Sequence, residues 1–75
     1  MNALSDKAVT IASTYLGPAA KVFLERQTRA HMGGLPFDTL DKQHLPELAK
    51  WVRISAKLLI EPAKATELSE KIAKL

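Results

Sequence analysis

Between Leu45 and Ile60 the segment LPELAKWVRISAKLLI is the most apolar stretch of the chain and holds its only Trp. At helical spacing, Leu45, Leu48, Ala49, Val52, Ala56 and Leu59 fall on one stripe. Trp51, Ile54 and Leu58 form a second stripe beside it, and Lys50, Arg53 and Lys57 occupy the remaining arc. A surface helix buries a stripe of about 100°, whereas this one is apolar around more than half its circumference. Such a helix needs neighbours on two sides. The pattern therefore predicts a central helix over about 45–60 in a small bundle.

The rest of the chain supplies the neighbours. Leu4, Ala8, Ile11, Ala12 and Tyr15 share one face of a first helix, with Ser5 or Asn2 as its cap and Asp6 near its positive end. That helix stops at Leu16-Gly17-Pro18, since Pro disfavours the α conformation in the residue before it and Gly tolerates an unusual corner. Pro18 is suited to open the second helix, which runs to about Met32 with Ala19, Ala20, Phe23, Leu24, Gln27 and Ala30 inward. Gly33-Gly34 ends it, one glycine serving as a left-handed C′ residue. Leu35-Pro36-Phe37 reads as an extended connector, followed by a short turn over Leu40–His44 capped by Asp38 or Thr39. Pro46 and Pro62 each open a helix, because an interior Pro costs about 3 kcal/mol. In the last helix, Pro62–Leu75, the residues Ala65, Leu68, Ile72 and Leu75 line one side. No strand-like alternation, repeat or low-complexity segment competes. The expected fold is all-α: a single domain over 1–75, four helices and a short turn.

Composition narrows the setting. A chain of 75 residues, 47% hydrophobic and 25% charged, is a small globular domain near the size where one core only just supports folding. It has no Cys, so neither disulfides nor thiolate metal sites are available, which fits a cytoplasmic location. No apolar run approaches the ~18–20 residues of a membrane span. The formal net charge of +3 permits an acidic partner without demanding one. Residues 1–37 hold four Lys/Arg against two acids, and residues 38–75 hold seven against six, so neither half is a basic arm.

Little in the chain points to catalysis. His31 lies near a helix end, and His44 is close to Asp38 and Asp41, but these spacings match no standard metal-ligand pattern. There is no HExxH motif, no phosphate loop and no recognisable nucleophile turn. The expectation is a non-enzymatic protein without metal or cofactor. Two surfaces remain as binding candidates. Lys50, Arg53 and Lys57, with Arg26 and Arg29 as possible neighbours, offer an anion or nucleic-acid contact, although a recognition helix would need more exposed polar readers than this one spares. Trp51, Ile54 and Leu58 are either covered by the fourth helix or left open to dock a protein partner or an identical subunit. A structural subunit that folds fully only on self-association is a further option.

The segment Tyr15–Arg26, YLGPAAKVFLER, resembles a small helical module appended to bacterial signalling proteins such as serine/threonine kinases and response-regulator-like chains. The module's pattern is Y-[IL]-G-P-x-A-x-x-[LF]-[LV]-x-R, and Tyr15, Gly17, Pro18, Ala20, Phe23, Leu24 and Arg26 occupy its positions. Gly17 and Pro18 are its structural corner. The match covers about a dozen residues; beyond them the likeness is one of kind, a helix pair after a short linker. It implies an accessory or interaction module of a signalling protein, without catalysis of its own. This chain departs from that setting in beginning with Met and carrying no kinase or receiver segment. An excised domain, with Leu75 ending uncapped, would fit the resemblance.

Overall fold

Asn2 starts the structure by holding two things at once. In the computed structural model, which describes residues 2–75, its Oδ1 accepts from the Ser5 N–H at 2.8 Å and so caps α1 (Ala3–Leu16). Its Nδ2 donates to the Leu40 carbonyl at 2.9 Å, tying the N-terminus to the linker between the two halves. Ala8 and Ala12, both fully buried, form the inner face of α1, flanked by half-buried Leu4, Ile11 and Tyr15.

The Gly17-Pro18 corner has the special conformation that its sequence predicts. Gly17 sits at φ +62°, ψ −143°, and its N–H donates to the Ser13 carbonyl. The chain then passes through a single 3₁₀ turn, Gly17–Ala19, into α2 (Ala20–His31). Pro18 thus opens this turn rather than the α-helix itself. The buried face of α2 is Ala20, Phe23, Leu24, Gln27 and Thr28. Ala19 and Ala30, expected inward, are exposed: the chain enters the core one residue later, at Ala20, and the helix leaves it before its end. Gly33 and Gly34 both have positive φ, at +66° and +77°. The following linker is more structured than a plain connector, with 3₁₀ turns at Phe37–Thr39 and Lys42–His44. It buries Phe37 and Leu40 beneath the bundle.

α3 (Leu45–Ala56) carries Pro46 in its first turn and buries Leu45, Leu48, Ala49, Val52 and Ala56. It ends one turn earlier than the apolar pattern predicts. The N–H groups of both Leu59 and Ile60 donate to the Ala56 carbonyl, each at 2.9 Å, closing the helix in a tight turn. The cause lies downstream. Glu61, preceding Pro62, is held extended at ψ 144°, so the chain must leave the helix before it. Ile60 turns back onto the core, while Leu59, expected on the buried stripe, is turned outward.

α4 (Pro62–Ala73) lays Ala65, Leu68, Ser69 and Ile72 against α3, its most extensive partner, and also meets α1. Leu24, Leu48, Val52, Leu68 and Ile72 are the large aliphatic side chains of the sealed core. The fold is all-α, with extents of 29 × 21 × 21 Å. Among the described residues, no helix is long and apolar enough to cross a membrane.

Candidate docking surface

The groove between α2 and the end of α3 takes in Leu58 from the second apolar stripe, whereas Trp51, Ile54, Lys50, Arg53 and Lys57 do not line it. Phe23, Arg26, Gln27, Ala30 and His31 from α2 face Ser55, Leu58 and Leu59 across a volume of about 260 Å³. A hydrogen bond joins the two helices: Ser55 Oγ donates to Gln27 Oε1 at 2.8 Å. Gln27 Nε2 in turn donates to the Phe23 carbonyl at 3.3 Å, so this buried amide is used at both ends. The polar pair fixes the spacing of the helices, and the groove's apolar lining follows from Phe23, Ala30 and the two leucines.

Of the second apolar stripe, α4 covers neither Ile54 nor Leu58. Ile54 is 46% exposed, Leu58 85% and Leu59 62%. Trp51 is half-buried, and what covers it is a side chain from α2. The His31 ring stacks on the indole with centroids 4.2 Å apart and an interplanar angle of 11°. Lys50 Nζ also lies over the ring, 4.9 Å from its centroid. Trp51 Nε1 is buried without an acceptor, an arrangement that costs about 1–3 kcal/mol in a closed core. Sequence reasoning assigned His31 to a helix end and missed this stack, since nothing in the spacing from 31 to 51 announces it.

Lys50, Arg53 and Lys57 are all exposed. Arg26, which the sequence offered only as a possible neighbour, lines the groove with Leu58 and Leu59. Val22 on α2 is a further exposed apolar residue that the sequence reading did not single out, at 57%. Gly17 and Pro18 contribute to the α1–α2 corner and not to this groove.

The remaining candidates for chemistry have structural partners. His44 Nδ1 accepts from the Asp41 N–H at 3.0 Å, and the His44 N–H donates to the Asp41 carbonyl at 2.9 Å, so this histidine caps its own turn. Among the described residues, no group of three or more His, Asp or Glu side chains is placed to hold a metal ion. A second concavity, between α1 and α4, is lined by Thr14, Tyr15, Ile60, Lys64, Glu67 and Lys71. There the Tyr15 hydroxyl donates to Glu67 Oε1 at 2.6 Å, and Lys71 Nζ sits 5.2 Å from the Tyr15 ring centroid. The Tyr15 hydroxyl, assisted by the Lys64 charge, holds the Glu67 carboxyl below its ordinary range. The same tyrosine holds the Lys71 ammonium above its own. These groups brace α1 against α4. Set against known protein families, curated proteins and solved structures, the chain matches none of them.

Proposed function

We propose that this chain is a non-catalytic protein–protein interaction module, acting as an accessory part of a bacterial cytoplasmic signalling system. The observation that carries the reading is the exposure of three large aliphatic side chains, Ile54, Leu58 and Leu59, the last two lining an open groove. Burying one such side chain is worth about 1.5–3 kcal/mol, and exposed apolar patches on small domains mark contact sites. The Tyr15–Arg26 resemblance to signalling modules supports the setting. A second reading, nucleic-acid binding through Lys50, Arg53 and Lys57, draws on the exposure of all three cations.

Photo-crosslinking tests the first reading. A photoreactive residue in place of Leu58 is expected to give discrete protein adducts in the cell of origin. The same residue in place of Lys74, an exposed position after α4, serves as the control. The adducts should disappear when Leu59→Glu is added. Equal labelling at both positions, or none at either, overturns the reading; adducts to nucleic acid alone favour the second.

A further inference from the structure

We infer that the partner of this surface is an acidic amphipathic helix, seated between α2 and the end of α3; this rests on the docking role proposed above. Charge complementarity selects that partner. Along α3 and the turn that follows, each residue of the apolar strip is immediately preceded by a cation: Lys50 before Trp51, Arg53 before Ile54, Lys57 before Leu58. All three cations are exposed, and Arg26 lines the groove from the α2 side. No Asp or Glu lines it. The acids on the two helices and the turn that follows α3 are Glu25, Glu47 and Glu61, and none of them lines the groove. Glu25 is half-buried, and Glu47, one turn before Trp51 on the same face, lies at the opposite end of α3 from Leu58. A helix with leucine-like residues on one face and carboxylates on its flanks matches the aliphatic lining of the groove, its Arg26, and the exposed Lys57 next in sequence to Leu58.

The same facts disfavour other occupants. A second copy docked by a two-fold axis would bring the same cation-bearing face of both copies together. Nor does this chain own an acidic helix to offer, since α4 balances Glu67 and Glu70 with Lys64 and Lys71, and α1 balances Asp6 with Lys7. Nucleic acid has no use for exposed Ile54, Leu58 and Leu59. Trp51, the aromatic on which a base would stack, already has His31 over its ring.

The test is selection of helical peptides about four turns long, from a display library of random sequence, on the intact chain. Binding of the selected peptides is then followed by emission from Trp51. Peptides carrying net negative charge and an apolar face should be enriched. Their affinity should fall with added salt and by at least about tenfold on the folded variant Leu58→Glu. Enrichment of neutral or basic helices overturns the acidic partner and leaves the docking role standing. Peptides that bind Leu58→Glu as well as the parent overturn both. Duplex DNA that binds more tightly than the best peptide at about 0.15 M salt also overturns the inference.

Discussion

Gly17 carries a constraint that no other residue type shares comfortably. Its φ of +62° and ψ of −143° lie near the region open essentially to glycine alone. A Cβ built there meets no atom within 4 Å, so the cost of a side chain is wholly in the backbone and cannot be relieved by moving a neighbour. Gly17→Val is therefore expected to destabilise the fold by about 1–3 kcal/mol, read as a lower chemical-denaturation midpoint with unchanged slope. A midpoint equal to the parent's would show that the corner adapts. This residue was legible in the sequence because Gly-Pro between two amphipathic runs leaves the backbone few choices. Trp51 was legible only in part: its helix and stripe follow from spacing, but its cover is His31, twenty positions earlier on another helix.

Among the elements, helix starts were easier to read than helix ends. Pro46 and Pro62 place their helices in their first turns, as the missing N–H requires. The end of α3 was misplaced because apolar periodicity continues through Leu58 and Leu59 after the backbone has left the helix at Ala56. What fixes that end is the extended residue before Pro62 together with the inward turn of Ile60, a tertiary demand that periodicity does not encode. The bracing of α1 against α4 was also invisible, since Tyr15 and Glu67 are far apart in sequence. Because the folded Glu67 carboxyl is depressed, its contribution to stability is present above its ordinary value of 4.5 and is lost as pH falls through the lowered one. For Lys71, raised in the folded state, the contribution is present below 10.5 and lost as pH rises past the higher value. Tyr15→Phe should return both groups toward their ordinary values while keeping a ring for Lys71. Carboxyl and ammonium titrations by NMR check this, and an unmoved Glu67 curve would mean that the hydroxyl does not hold the carboxylate.

At the scale of the whole molecule, a sealed core and an open apolar surface coexist, and the two respond differently to substitution. Leu58 is 85% exposed, so Leu58→Glu should leave folding stability within about 0.5 kcal/mol of the parent. Leu48, with no exposure, should lose about 2–5 kcal/mol on conversion to Ala. This contrast separates a binding surface from a core that happens to reach the edge. The charge pattern then sets the state of the free chain. Two copies meeting through this face would gain aliphatic burial but bring two like-charged faces together. The parent should therefore sediment as a monomer at low salt, with any weak dimer growing as salt screens the repulsion. Binding of an acidic helix should move in the other direction, weakening as salt rises. Sedimentation of the parent and Leu58→Glu across protein and salt concentration measures both tendencies. A parent dimer that is strongest at low salt and absent in the variant would make a second copy, and not an acidic helix, the occupant of the groove.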